Sequence, residues 1–509
     1  MNRGCGRKVS SVCIVLLCTG ACTTSPDLSE IESHRRAIDV LDAGIDALGG
    51  LEAIRSLDSL TVAFRTRVLH VDQGPRPDVP VVVQQLHYRM TVDIPGRRIL
   101  IGAFASDTSP QPVFTTEVSE ERVFHRLAGT GSGQTLHRSA AAPFLHSFPM
   151  ALTYTLQAWD AWASLYWLGQ RHEDGKSYDV IVFADKFGTQ RTLYFDTETA
   201  RLERSALVTT QEPFGDVVSE AIYGDFRPLN GVLIPWQTSE KVRGILASEF
   251  EALTVSVGRS VLDSTSSASR VPRDDPGPAR ASRTARSLVA EPLGDGVFRI
   301  PDVLPGYHVM FVEQDDRIIL IEAVGGLDLS PSVLETIASI VPGKPVTHVV
   351  LTHHHDDHSN GLWSYLQAGM AVLTTPGLVA FVRDVASTPR RTERGLVSQG
   401  LPTIETVQEK RVFGRGRNRI ELYDVGPNPH AEEILMAYLP EHRLLFLSDV
   451  YGHRDGVDMP PVLLSLAAVL ERLALDVSTV VTAHTEPGTI AELESAIATA
   501  RARAAQRRR

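Results

Sequence analysis

The side chains best suited to metal chemistry are concentrated in one short segment of the chain. Residues 353–358 read His-His-His-Asp-Asp-His, which places four imidazoles and two carboxylates within six positions. Neutral imidazole nitrogens and carboxylate oxygens suit zinc, and the segment offers no sulfur ligand. Side chains two apart at a strand end point the same way, so His353 and His355 can hold one ion. Asp357 and His358 follow in the turn into the next helix and can face a second ion.

The segments around this cluster predict an α/β domain over residues 291–509. The cluster directly follows the apolar run 346–351, which predicts a strand, and a loop after such a strand is where α/β proteins place their sites. Further strands are predicted at 297–300, 309–312 and 318–321, a helix at 332–340 and a closing helix at 490–505.

The His-x-His-x-Asp-His motif and the segments around it resemble the metallo-β-lactamase superfamily, whose fold is an αββα sandwich. Three further residues follow in the family's order, each after an apolar run: His430, Asp449 and His484. Taken singly, they are typical of a surface loop, a turn cap and a strand end, but their joint order favours metal ligands. The resemblance implies a first site of His353, His355 and His430, a second site of Asp357, His358 and His484, and Asp449 bridging both.

The ligand types narrow the class that the resemblance implies. Diiron relatives often carry Glu at the position of His355, so this histidine favours zinc. Two subclasses of true β-lactamase use a Cys ligand, which the mature chain cannot offer, and the third lacks the bridging Asp. The set matches glyoxalase II, lactonase and phosphodiesterase-like members. Two positions depart from the family pattern: Asn360 replaces a commoner Gly, and Glu322 replaces a frequent Asp that orients the ligands.

The resemblance therefore implies a dinuclear zinc hydrolase, with two Zn²⁺ per chain. A metal-bound hydroxide would attack an ester, thioester, lactone or related amide, and Asp357 would orient the nucleophile or shuttle its proton. One alternative is a lipid-anchored binding protein with an apolar ligand on its N-terminal sheet. A second alternative is iron-dependent oxidation of a sulfur compound on the same fold.

Other polar residues near predicted strand ends are weaker candidates. His354 and Asp356 alternate with the ligands and are expected to point away, toward supporting groups or solvent. Substrate contacts are considered for three residues, although surface or packing roles are favoured: His308, Tyr451 and His453. The Arg-bearing segment 386–411 is long enough to form a lid.

Residues 57–258 predict an antiparallel β domain, after a polar lead-in and helix at 22–56. Runs such as 178–183 and 192–195 are separated by Gly and Asp turns, and the pattern resembles the half-barrels of lipoprotein-sorting carriers. Five aromatic residues in a stretch predicted as helical are expected to form core rather than a ligand pocket: Tyr154, Trp159, Trp162, Tyr166 and Trp167. Residues 259–290 are rich in Ser, Arg, Ala and Pro and predict a linker.

The net charge bears on which partners this protein binds, and the amino terminus indicates its cellular location. The 509 residues carry a formal net charge of −11, which argues against a nucleic-acid binder. Residues 1–21 predict a signal peptide, and all four cysteines lie at or before position 22. The run Thr-Gly-Ala before Cys22 resembles a lipoprotein signal, which implies a lipid anchor at Cys22 in the outer membrane, facing the periplasm. The alternative is a soluble periplasmic protein. A small-molecule substrate is expected, and no protein partner is indicated.

Overall fold

The structure is a computed structural model of the whole chain. It describes residues 28–507 except 95–97, 107–108, 110, 119–122, 128–132, 137–149, 186–187, 259–287, 393–394, 398–399 and 453–458. The signal peptide, Cys22, His453 and most of the linker therefore lie outside the described residues. Within these bounds, no helix combines the length and the apolar character needed to cross a bilayer.

The N-terminal region forms one antiparallel sheet, as its strand-like runs separated by Gly and Asp turns predict. The strands pair in the order β6-β5-β4-β3-β2-β1-β13-β12-β11-β10-β9-β8-β7, so the first and last strands are neighbours. The described strands are β1 (Ser59–His70), β2 (Val81–Asp93), β3 (Arg98–Phe104), β4 (Phe114–Val118), β5 (Val123–Leu127), β6 (Gly133–Leu136), β7 (Tyr166–Glu173), β8 (Lys176–Ala184), β9 (Gln190–Asp196), β10 (Leu202–Gln211), β11 (Gly215–Leu229), β12 (Val232–Val242) and β13 (Ile245–Gly258).

Helices pack on one face of this sheet and share its hydrophobic core. These helices are α1 (Glu30–Ala47), α2 (Leu51–Arg55) and α3 (Met150–Asp160). A capping box between Ser29 and Glu32 starts α1, and the chain leaves it through Gly49 at φ 118°, a conformation that favours glycine.

The aromatic stretch is only partly helical. Tyr154 lies on α3 and Trp162 in a short 3₁₀ turn, whereas Tyr166 and Trp167 begin strand β7. The prediction of one helical stretch was wrong at these last two residues, because Leu165 turns extended after the 3₁₀ turn. Tyr154 and Trp167 are buried in the core and Trp159 packs against it, which agrees with the packing role expected for them. The core prediction was wrong for Trp162 and Tyr166, which are 58% and 41% exposed.

Glu240 is a buried acid of the N-terminal sheet. It accepts hydrogen bonds from the hydroxyls of Ser219 (3.2 Å) and Ser248 (3.0 Å). Burial outweighs these bonds and raises its pKa from 4.5 to about 7. The folded chain therefore holds this proton more tightly than the unfolded chain does. This tighter proton binding stabilises the folded chain. The stabilisation is fully present below pH 4.5 and is lost as the pH rises through 7.

We expect Glu240→Gln, which stays neutral, to raise the free energy of unfolding at pH 8 by roughly 3 kcal/mol. The same substitution should change stability little near pH 3, well below the ordinary pKa of 4.5, where the acid is protonated in both the folded and the unfolded chain. Urea unfolding of both proteins at the two pH values checks this. An equal pH dependence of stability in the two proteins would refute the assignment.

The C-terminal region contains two sheets packed face to face. The first pairs in the order β14-β15-β16-β17-β18-β19-β22, and the second in the order β23-β24-β25-β26-β27-β28. The described strands are β14 (Glu291–Gly294), β15 (Val297–Leu304), β16 (Tyr307–Glu313), β17 (Ile318–Ile321), β18 (Val346–Val350), β19 (Ala371–Thr374), β20 (Arg390–Thr392), β21 (Gly395–Val397), β22 (Ile404–Thr406), β23 (Lys410–Phe413), β24 (Ile420–Asp424), β25 (Leu435–Leu439), β26 (Leu444–Phe446), β27 (Thr479–Val481) and β28 (Gly488–Thr489). Strands β20 and β21 form a separate hairpin.

Helices cover both outer faces and make the domain an αββα sandwich, as predicted. In β17, Ile318 and Leu320 face the helix layer, while Ile319 and Ile321 face the other sheet. A strand buried on both faces is apolar throughout, which explains the unbroken run 318–321. The described helices are α4 (Gly326–Ile340), α5 (Asp356–Ser359), α6 (Leu362–Gln367), α7 (Val379–Ser387), α8 (Pro460–Leu473) and α9 (Ile490–Arg507).

The hairpin β10–β11 docks the N-terminal sheet onto the C-terminal domain. Phe214 at its tip is buried in the core beneath the first sheet and meets Phe381 edge-on, with ring centroids 5.4 Å apart. Arg390 is 1% exposed and donates to Glu212 Oε2 (2.7 Å) and to the Pro213 carbonyl. The segment 386–411, considered as a lid, thus supplies a buried contact between the two domains.

Candidate metal centre

The loop after β18 places the histidine cluster at the carboxyl end of this interior strand of the first sheet. Strand β18 ends at Val350, and the chain stays irregular to His355 before α5 begins at Asp356. All seven predicted ligands lie in two adjacent groups, and within each group the ligand atoms are within 4.8 Å of one another. The first group is His353, His355 and His430; the second is Asp357, His358, Asp449 and His484.

The first group consists of imidazoles alone. Nε2 of His353 and Nε2 of His430 are 3.2 Å apart. The Nε2 of His355 lies 3.0 Å from the Gly74 carbonyl, which can only accept, so this nitrogen carries the proton. The Nδ1 of His355 is then a buried lone pair, and it has no partner among the described residues. Burial, reinforced by the neighbouring imidazoles, lowers the pKa of His353 well below 6.5 and keeps it neutral, as a metal ligand must be.

The second group is built around a carboxylate. Asp449 Oδ1 lies 2.9 Å from His484 Nε2, and its Oδ2 lies 3.1 Å from His358 Nε2. The same Oδ2 is 3.5 Å from Nε2 of His430 in the first group. Asp449 therefore spans the two groups, which is the position the sequence resemblance implied for it.

The proton positions of the second group fit a bound cation. His484 Nδ1 lies 2.9 Å from the Gly306 carbonyl, and His358 Nδ1 lies 3.2 Å from Glu322 Oε2, so both Nδ1 atoms donate. When both rings are neutral, as metal ligands must be, their Nε2 atoms present lone pairs to each other across 3.3 Å. That separation matches the roughly 3.3 Å between two ligands of a tetrahedral zinc at about 2.0–2.1 Å.

The electrostatics of this group also favour positive charge. Burial lowers the pKa of His358, but Asp449, Asp357 and Glu322 outweigh it and raise that pKa well above 6.5. Burial raises the pKa of Asp449, yet His358 and His484 hold it well below 3.8. The carboxylates therefore stabilise a positive charge among these ligands. A divalent cation supplies such a charge.

Glu322 orients the ligands from below. It is fully buried, accepts a hydrogen bond from Thr352 (3.0 Å) and contacts His358. Its backbone lies at φ 82°, a left-handed conformation that is costly for a residue with a side chain and is typical of functional sites. Thr352 Oγ1 in turn lies 3.1 Å from His353 Nδ1. The Glu at this position therefore still reaches the ligand histidines, although it departs from the family pattern.

Asn360, the other departure, has a structural role. Its Oδ1 accepts from the backbone amides of Gly325 (2.8 Å) and Gly326 (3.0 Å), at the start of α4. Its Nδ2 donates to the Asp357 carbonyl at 3.3 Å. Asn360 thus joins the turn that carries Asp357 to the neighbouring helix.

The weaker candidates divide between packing and support. His308 is 3% exposed and its Nδ1 accepts from the Asp302 amide, so it packs inside the domain. Tyr451 packs against the core of the second sheet. His354 is fully buried, so of the two surroundings expected for it, supporting groups or solvent, the structure rules out solvent.

Three residues near the site were not predicted from the sequence: Tyr307, Gln73 and Gly74. Tyr307 donates to Asp357 Oδ2 at 3.2 Å, and its ring meets that of His484 with centroids 4.7 Å apart. Gln73 and Gly74, from the N-terminal domain, reach Asp357 and His355. For Tyr307, its place at the start of a strand was a usable signal. For the other two, the sequence shows only a turn.

A comparison with known protein families gives a match within the C-terminal region. Residues 305–484 match the family model described as the metallo-beta-lactamase superfamily, a span that contains all seven predicted ligands. The C-terminal region is therefore a domain of the metallo-β-lactamase type, as its motif predicted. Most members of this superfamily are hydrolases, which supports the prediction that this protein is an enzyme.

Three solved structures are similar to part of this chain at low identity. A metallo-beta-lactamase from Pontibacter korlensis is 20% identical, with 42% of this chain and 99% of that chain covered and a TM-score of 0.34. One from Erythrobacter litoralis is 18% identical, covering 42% and 97%, with a TM-score of 0.33. An inverting sec-alkylsulfatase from Pseudomonas sp. is 14% identical, covering 40% and 39%, with a TM-score of 0.31.

Proposed function

We propose that this protein is a dinuclear zinc hydrolase that cleaves an ester, thioester, lactone or related amide. The observation that carries the proposal is the pair of ligand groups joined by Asp449, whose Oδ2 lies 3.1 Å from His358 and 3.5 Å from His430. His353, His355 and His430 would hold one ion, and Asp357, His358 and His484 the other. Histidine and carboxylate ligands without sulfur suit zinc.

When bound, zinc lowers the pKa of a coordinated water toward 7 and polarises a substrate oxygen. The side chain of Asp357 is 25% exposed, compared with 0% for His358 and 3% for Asp449. Asp357 is therefore the carboxylate of this site that is best placed to meet a substrate. Its Oδ2 accepts a hydrogen bond from the Tyr307 hydroxyl. This bond orients the carboxylate, which would hold or pass a proton during the reaction.

The deeper residues hold the proton positions that this chemistry needs. Glu322 keeps the proton of His358 on Nδ1, and the Gly306 carbonyl does the same for His484. Both Nε2 atoms then remain available as ligands. Such supporting contacts orient the rings before any substrate arrives.

Turnover of zinc-loaded protein on a panel of esters, lactones, thioesters, β-lactams and phosphodiesters tests the proposal. We expect hydrolysis in the first three classes and its loss in His355→Ala, with the fold intact by circular dichroism. His172→Ala, at a surface hydrogen bond with Ser177 in the N-terminal sheet, is the matched control and should keep full activity. Turnover that survives in His355→Ala would end the assignment.

The alternative of an apolar carrier has less support. On the N-terminal sheet, helices α1 and α3 pack into the hydrophobic core and cover the face on which such a ligand would lie. Iron-dependent sulfur oxidation, the other alternative, predicts iron rather than zinc in the purified chain. We further propose export and a lipid anchor at Cys22, which loss of membrane association in Cys22→Ser would support and unchanged fractionation would refute.

A further inference from the structure

A loop of the N-terminal domain lies directly over the metal-ligand groups. This is the β1–β2 loop, residues 71–80, which joins two strands near the middle of the N-terminal sheet. The Gln73 Nε2 donates to Asp357 Oδ1 at 2.8 Å and also to Asp356 Oδ1. One residue later, the Gly74 carbonyl accepts from His355 Nε2 at 3.0 Å. Two predicted ligands, one from each metal group, are thus contacted from another domain.

The β1–β2 loop is fixed from both sides. Asp72 is 3% exposed, pairs with Arg243 at 3.0 Å and accepts from Gln211 at 2.7 Å, all within the N-terminal domain. Its backbone carbonyl accepts a hydrogen bond from the Asp356 amide, and the Pro75 carbonyl accepts one from the Glu432 amide at 2.9 Å. The two residues that touch the ligands lie between these anchors. Their positions are therefore set by the docking of the two domains.

The chemistry of each contact suits the ligand that it meets. A carboxamide nitrogen has two hydrogens, so Gln73 can satisfy Asp356 and Asp357 together without adding charge. The Gly74 carbonyl can only accept, so it holds the His355 proton on Nε2 and leaves Nδ1 as the free ligand atom. Without this carbonyl, His355 could adopt the other tautomer, which cannot bind metal through Nδ1.

We propose that the β1–β2 loop is an integral part of the metal centre, in which Gln73 positions Asp357 and the Gly74 carbonyl positions His355. The N-terminal domain then has a defined role in the enzyme, because it completes the ligand support that the C-terminal domain lacks. This proposal rests on the proposed function for its catalytic meaning. Its effect on metal binding can be measured independently of any substrate.

Two variants test the two contacts in the full-length chain. Gln73→Met keeps the length of the side chain but removes both donors, and the anchors at Asp72 and Pro75 remain. Gly74→Ala forces the loop to move, because the added Cβ would lie 1.6 Å from the Val79 carbonyl oxygen. Loss of such supporting contacts weakens metal affinity by about 10–100-fold. We expect losses of this size in zinc affinity, measured by chelator competition.

The visible spectrum of cobalt-substituted protein provides a readout that depends on ligand geometry rather than on overall stability. We expect both variants to change it, whereas Asp78→Ala should not. Asp78 is on the same loop, its side chain is 75% exposed and it pairs with Arg76, so it is the matched control. Wild-type zinc affinity and an unchanged cobalt spectrum in both test variants would overturn this proposal.

The outcomes separate this proposal from the proposed function. If the wild-type protein hydrolyses the panel but both variants bind metal normally, the loop is not part of the centre and the hydrolase assignment stands. If the wild-type protein hydrolyses none of the panel but both variants bind metal more weakly, the loop proposal stands and the substrate class is wrong.

Discussion

Replacement of Asp449 by Asn should reduce turnover by more than about 100-fold and leave fewer than two metal ions per chain. Asp449 is 5% exposed and its two oxygens contact histidines of both ligand groups. Loss of a group that only supports a metal ligand lowers metal affinity or activity by about 10–100-fold, so loss of a ligand that contacts both groups should exceed that range. The asparagine also places an amide nitrogen where a cation would be bound. Both effects act on the carboxylate that joins the two sites.

The measurement combines turnover with elemental analysis of the same preparation. Asp476→Asn is the control, because Asp476 is a surface residue of the same domain, 74% exposed and paired with Arg443. Surface ion pairs contribute little, so this variant should match the wild-type protein in both measurements. Wild-type turnover together with full metal content in Asp449→Asn would contradict the bridging role of Asp449.

Replacement of Arg390 by Ala should lower the free energy of unfolding by about 3 kcal/mol. The guanidinium is 1% exposed, donates to Glu212 and Pro213 and lies over the Trp363 ring at 4.8 Å. Its loss leaves the Glu212 carboxylate without its cation and the Pro213 carbonyl without this donor, both within the domain contact. Burying such groups without a partner accounts for a cost of this size.

Denaturant unfolding of Arg390→Ala checks this second expectation. Arg391→Ala is a neighbouring control, because Arg391 has an exposed side chain and its backbone amide keeps its bond to Asp216. A large loss for Arg390 and a small one for Arg391 would show that the hairpin contact holds the domains together. Equal stability of the two variants would argue against that contact.

The sequence was most informative where the site is local. His353, His355, Asp357 and His358 lie within six residues, so strand and turn geometry alone predict two adjacent groups. His430, Asp449 and His484 are far apart in the chain, and only the resemblance to a known family related them. The structure brings these three residues together because each lies in the loop that follows a strand of the second sheet. His430 follows β24, Asp449 follows β26 and His484 follows β27.

Other features depended on tertiary contacts that a local pattern does not encode. Gln73 precedes Gly-Pro-Arg-Pro-Asp-Val-Pro, which predicts a turn, yet its partner Asp357 lies 284 residues away. Glu322 contacts His358 at 3.2 Å from a backbone at φ 82°, a conformation that the local sequence pattern does not predict. Likewise, Tyr166 and Trp167 become a strand because they pair with β8, a contact that overrides their helical spacing.

The metal content of the purified full-length chain tests the central claim most directly. Elemental analysis after zinc loading and removal of free metal should give close to two zinc ions per chain, one for each ligand group, with Asp449 of the second group lying 3.5 Å from His430 of the first. One iron ion per chain as purified, or no retained zinc after loading, would contradict a dinuclear zinc hydrolase.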